Sequence, residues 1–163
     1  MKKIESFSIH LSINAVKYLI TKIMNPIFKN VLAVVAGILI GGLVNMSIIM
    51  MSSSIIPPPE GIDVTTVEGL KEGMQHFKPI NFLMPFLAHA LGVLVGAFIA
   101  AKIAAKQKMT LAFLVGVFFL LGGIANVMML PSPMWFNLID LLFAYLPMAW
   151  IGGKLAVNKS NKI

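Results

Sequence analysis

The stretch VLAVVAGILIGGLVNMSIIMM, Val31 to Met51, decides the fold. It carries no charged side chain over a length that crosses the roughly 30 Å hydrocarbon core of a bilayer as a helix rising about 1.5 Å per residue. Its apolar residues run on without alternation, which argues against a strand of a membrane barrel. Three more runs repeat the pattern. Phe82 to Ala101 is interrupted only by His89, Met109 to Leu130 is uncharged, and Met134 to Gly153 holds Asp140. The fold class predicted is all-α: a polytopic membrane protein with four transmembrane helices, spanning about 31–51, 82–101, 109–130 and 134–153.

Composition agrees. Hydrophobic residues make up 58% of the 163, charged residues 12%, and the mean hydropathy is +0.90. A soluble domain carries about a quarter charged residues, so both a soluble enzyme domain and a disordered chain are excluded as readings. The absence of Cys excludes disulfides, thiolate metal sites and Cys nucleophiles.

The net charge of +7 comes with thirteen Lys and no Arg. Nucleic-acid modules rely on the bidentate guanidinium, and here the Lys flank apolar runs, so no nucleic-acid partner is expected. Eleven of the thirteen Lys lie before the first span, between the second and third, or after the fourth. Lys71 and Lys78 stand alone in the first connection, beside Glu60, Asp63, Glu68 and Glu72. The positive-inside rule then puts both termini in the cytoplasm, with residues 52–80 as an outer loop. Trp135 and Trp150 fit aromatic belts at the two interfaces. The expected location is a bacterial cytoplasmic (inner) membrane.

Residues 1–28 form a cytoplasmic or interfacial segment, 29–156 the transmembrane domain, and 157–163 a cytoplasmic tail. Ile9, Ile13, Val16, Ile20 and Ile23 recur at helical spacing, which fits a helix lying on the inner leaflet. The alternative is translation starting at Met24. In the outer loop, Pro57-Pro58-Pro59 predicts a stiff extended spacer, and Thr65-x-x-Glu68 matches a capping box. Val67, Leu70, Met74 and Phe77 then predict an amphipathic helix of about three turns, ended by Pro79.

Gly41-Gly42-Leu43-Val44-Asn45 in the first span and Gly122-Gly123-Ile124-Ala125-Asn126 in the third form an internal repeat, so the chain reads as two similar hairpins. Small residues form stripes at a spacing of four. Ala33, Gly37, Gly41 and Asn45 make one stripe, and Ala88, Gly92, Gly96 and Ala100 make the other. Apolar side chains gain little by leaving lipid for one another, so close approach through small residues drives helix packing. The stripes predict contact between the first and second helices, or a homo-oligomer interface. Pro85 and Pro147 predict kinks in the second and fourth spans.

One polar residue on each helix falls in a similar layer of the outer half. Asn45 and Asp140 lie about 9 Å below the interface, Asn126 about 6 Å and His89 about 12 Å. Asn137 shares a face with Asp140. An ionisable group at such depth is costly unless paired or wet, and His89 is the natural partner of Asp140. The pair could relay protons or hold a polar head group, and the plainer role is hydrogen-bond glue between helices. Glu68, Glu72 and His76 share a helix face, a pattern common on exposed helices, so no metal site and no cofactor are expected. No nucleophile elbow, Walker loop or zinc-protease helix is present.

The first span has no Glu, as a small multidrug transporter would show. The stretches Pro57 to Asp63, Ala88 to Gly92 and Leu130 to Phe136 resemble a family of short four-span bacterial membrane proteins with a Pro-Pro-Pro-x-Gly outer loop and no established activity. That resemblance covers about Met24 to Ala156 and implies fold and location only. Two functions remain open. One is a non-enzymatic packing, oligomer-forming or partner subunit with an outward polar pocket, whose partners are membrane lipid and other copies or subunits. The other is a small proton-coupled or lipid-handling transporter using His89 and Asp140. The orientation has a direct test: single cysteines placed at Ser53 and Ser160 should differ on intact cells, with an impermeant reagent labelling position 53 only.

Overall fold

A computed structural model describes residues 25–160, and among these the secondary structure is helical throughout, with no strand. The expectations for residues 1–24 lie outside the described residues. Four segments are long and apolar enough to cross a membrane: Pro26–Ile55, Pro79–Ile103, Lys108–Met129 and Met134–Asn158. Helix α1 runs Pro26–Ile55, the loop helix α2 Val67–Gly73, α3 Leu83–Ile103, α4 Lys108–Met129, α5 Met134–Phe143 and α6 Leu146–Ser160. The end of the bundle carrying the 56–82 loop is the loop face. The other end, with Lys29, Lys102, Lys106 and Lys154, is the lysine face.

Helix α1 starts earlier and ends later than its apolar core. Asn25 caps it by accepting from the Ile27 amide at 3.0 Å, and Pro26 fills the first position, where a missing N–H costs nothing. Of the two predicted proline kinks, only the one at Pro147 falls in the middle of a span. Pro85 sits in the first turn of α3, and Pro147 is the second residue of α6. Both occupy helix starts because the chain breaks just before them. The fourth span is therefore two helices, parted at Ala144 and Tyr145.

In the loop the cap is Thr66, one residue later than predicted. Its hydroxyl accepts from the Gly69 amide at 3.1 Å. Thr65 is held back because its amide and hydroxyl donate to Asp63 at 2.8 and 2.6 Å. Those bonds, the hydroxyl's first, hold the exposed Asp63 carboxyl below its usual range. Helix α2 is shorter than predicted, and Met74–His76 continues it as a single tighter turn. Pro79 opens the next turn, Pro79–Phe82. Asn81 ties this turn to the proline spacer by donating to the Pro57 carbonyl at 3.3 Å. Phe82 is buried and packs on Phe77, Trp135 and Phe136, joining the loop to α5.

Helix α3 is the axis of the bundle. Nearly half of its span is buried (44%), against 17% for α1. One face presents Gly92, Gly96 and Ala100 to α1. A Cβ built on Gly37 or on Gly41 would lie 2.6 Å from the carbonyl oxygen of Gly96 or Gly92 respectively, so only glycine allows this approach. The other face carries Ala90, Val93, Ala97 and Ala101 into a small-residue core with Ala112, Ala149 and Ala156. There α6 comes equally close, with a Cβ on Gly152 colliding with the Leu94 carbonyl and lying 3.1 Å from the Phe98 amide. At the lysine face Asn30 accepts from the amides of Ala105 and Lys106 at 2.9 and 3.4 Å, fastening α1 to the α3–α4 link. Gln107 ends that link in the left-handed region, at φ 54.

The small-residue contact sets a test. Gly92→Leu or Gly96→Leu should part α1 from α3 and lower stability in detergent by about 2 kcal/mol or more. Gly42→Leu, where a Cβ meets nothing within 4 Å, should leave the melting temperature unchanged.

Candidate functional site

The break in the fourth span positions the site. Asp140 lies on the last full turn of α5, and its carbonyl accepts from the Ala144 amide at 2.9 Å. Tyr145 follows at the break. In an unbroken helix a residue five positions on would point about 140° away from Asp140. The turn at Ala144 brings the Tyr145 ring back instead, and its hydroxyl donates to Asp140 Oδ2 at 2.9 Å. From α3, His89 Nδ1 stands 2.9 and 3.0 Å from the two carboxylate oxygens and 3.1 Å from the Tyr145 oxygen. The imidazole and phenol rings lie 5.7 Å apart at 30°.

Hydrogen-bond chemistry fixes the roles. An ionised carboxylate only accepts, so Nδ1 carries the hydrogen and donates. Tyr145 supplies the second donor, and the charge is met from two helices. Nε2 is bonded by no described residue. The Asp140 side chain is 4% exposed and that of His89 15%, so the carboxylate is sealed and the imidazole is the member that reaches outward. By helix rise the three residues lie about 9 to 16 Å below the loop face, within the apolar part of the spans.

Packing holds Tyr145 in place. Its hydroxyl and ring fill the space where a Gly123 Cβ would stand. The ring is buried among Ala90, Val93 and Ala149. Neither Tyr145 nor Gly123 was among the site residues read from sequence. The available signal was Pro147, whose missing N–H favours a helix start and hence a break nearby.

The other predicted residues fall elsewhere. Asn137 is buried one turn from Asp140, but its amide is spent on Ser132: Nδ2 donates to the Ser132 carbonyl at 3.2 Å, and the Ser132 hydroxyl donates to Oδ1. It anchors the turn entering α5. Asn45 lies against Gly92, and its buried Oδ1 has no hydrogen-bond partner. Asn126 is exposed on α4. The reason is a shift in the repeat. In α1 the packing glycine is the first of the pair, Gly41, and Asn45 lies four residues on, along the same face. In α4 it is the second, Gly123, while Gly122 is open, and Asn126 sits on the open side. Of the five residues expected to share a pocket, only His89 and Asp140 meet, with Tyr145 as the third member of their cluster, and Asn45, Asn126 and Asn137 lie apart from it.

Among the described residues no group of three or more His, Cys, Asp or Glu is placed to hold a metal ion. Compared with protein families, with curated proteins and with solved structures, the chain matches none. The resemblance carried by the Pro57–Asp63, Ala88–Gly92 and Leu130–Phe136 stretches rests on those stretches alone.

The cluster predicts a graded response. Tyr145→Phe removes one donor and should cost about 1 kcal/mol. Asp140→Asn turns one acceptor into a donor facing Tyr145 or His89, and His89→Ala strands the carboxylate, so each should cost about 1–3 kcal/mol. The His89→Ala, Asp140→Asn double variant should cost less than the sum of the two, as read from detergent denaturation. Strict additivity would mean that the two side chains are not coupled.

Proposed function

We propose that this protein is a small proton-coupled membrane carrier whose working group is His89, held by Asp140 and Tyr145. The observation that carries the reading is the orientation of the imidazole. Nδ1 is occupied by a sealed carboxylate while Nε2 is left to take and release a proton. A proton arriving at Nε2 changes the His–Asp pair from net charge −1 to 0 without breaking the Nδ1–carboxylate bond. Such a group within apolar spans is a functional hypothesis by default. Its position at a broken helix supports the same reading, because carriers build their sites where a membrane helix is interrupted.

In this reading the chain lies in a bacterial cytoplasmic membrane with both termini in the cytoplasm. His89 then receives its proton from the outer, loop-face half. The packing-subunit reading has lost one support: Gly37, Gly41, Gly92 and Gly96 are spent on the contact of α1 with α3, so an assembly of copies would use other surfaces.

The test is titration and flux together. With histidines isotopically labelled and the protein in bilayer discs, Nδ1 of His89 should stay protonated while Nε2 gains and loses its proton as pH is varied. Asp140→Asn should move that midpoint. In liposomes under an imposed pH gradient, wild-type protein should dissipate the gradient faster than His89→Ala. An Nε2 that does not titrate, or flux equal in the two proteins, would defeat the carrier reading and leave the cluster as helix glue.

A further inference from the structure

A groove of about 450 Å³ opens at the loop face, far along the chain from His89 and lined by none of its cluster. One wall is Lys71, Glu72 and Gln75, from the α2 turn and the tighter turn after it. The other is the segment Met128–Pro131 at the end of α4. Helix α4 has 22 residues, a length of about 33 Å. It therefore ends where the hydrocarbon core gives way to head groups. The groove straddles that boundary, with a polar wall above and an apolar one below.

Two features of these walls point to the same occupant. The polar wall carries both signs of charge, and neither Lys71 nor Glu72 enters an ion pair among the described residues. The apolar wall is uncovered, with Met128 83% and Met129 55% exposed. Met is the side chain that best adapts to a flexible chain lying on it.

We propose that this groove binds a zwitterionic phospholipid with a primary amine in its head group, the phosphatidylethanolamine class. The Lys71 ammonium meets the phosphate, the Glu72 carboxylate accepts from the lipid ammonium, and Gln75 hydrogen-bonds beside them. One acyl chain runs down over Met129 and Met128. The two kinds of wall, charged and apolar, match the two ends of such a lipid, its head group and its acyl chains. An anionic lipid without an amine leaves Glu72 facing a phosphate. A choline lipid offers no N–H to the carboxylate.

The experiment uses the full chain, purified in detergent, with melting temperature followed as defined lipid is added. Phosphatidylethanolamine should raise it at a concentration about tenfold lower than phosphatidylcholine or phosphatidylglycerol. Glu72→Gln should abolish the preference over phosphatidylglycerol, and Lys71→Gln should weaken both. Both side chains are exposed, so unchanged melting without lipid verifies that the variants fold. Equal stabilisation by the three lipids, or a preference that survives Glu72→Gln, would overturn the proposal. So would glycerophosphoethanolamine, which has no acyl chains, acting as well as the lipid, because the ligand would then be a soluble head group. The titration of His89 in Glu72→Gln should match wild type, which keeps this result separate from the carrier reading.

Discussion

Everything in this bundle depends on how near other backbones can come to α3. In lipid there is no water to squeeze out from between two apolar helices, so the contacts must come from van der Waals packing at short range. Helix α3 meets this constraint on two sides. Gly92 and Gly96 admit α1 on one, and Gly152 of α6 admits α3 on the other. Between them the core is alanine and valine rather than leucine and phenylalanine. The large apolar side chains, such as Leu39, Leu43, Leu121 and Leu142, are turned out to where lipid would lie. This reverses the arrangement of a soluble bundle.

That close packing is also what makes the polar cluster affordable. A carboxylate inside the apolar spans needs every acceptor position met, and Asp140 gets its donors from α3 and from the residue at its own helix break. His89 would not reach if α3 stood a side chain further away. Gly123 illustrates the coupling: a missing Cβ on α4 gives the Tyr145 hydroxyl its seat, and the hydroxyl in turn completes the shell of Asp140. Packing and electrostatics are one arrangement here.

The four spans could be read from the sequence because hydropathy over twenty residues is a bulk property, insensitive to local detail. The contact of α1 with α3 could be read too, because a spacing of four maps onto one helix face. Depth made His89 and Asp140 candidates for a pair, since costly groups in the same layer seek each other, but their contact was not implied by the sequence. What failed was anything depending on a break in helical phase. An unbroken fourth span carries Tyr145 away from Asp140, so the third member of the cluster stayed invisible. The repeat misled in the same way. Its letters align Asn126 with Asn45, but the glycine that touches a neighbour differs by one position, and one position is about 100° of rotation. At Thr65 and Thr66 the ambiguity was chemical: either hydroxyl can cap a helix, and Asp63 settles the choice by engaging Thr65.

The clasp at Asn30 bears on how the α3–α4 turn is completed. The amides of Ala105 and Lys106 lie in the turn of the α3–α4 hairpin, where no helix supplies them an acceptor, and they find one on the first turns of α1. The hairpin's turn thus has two backbone donors that the described residues answer only from α1. One Asn30 side chain accepts both, because the closed turn presents the two N–H groups side by side.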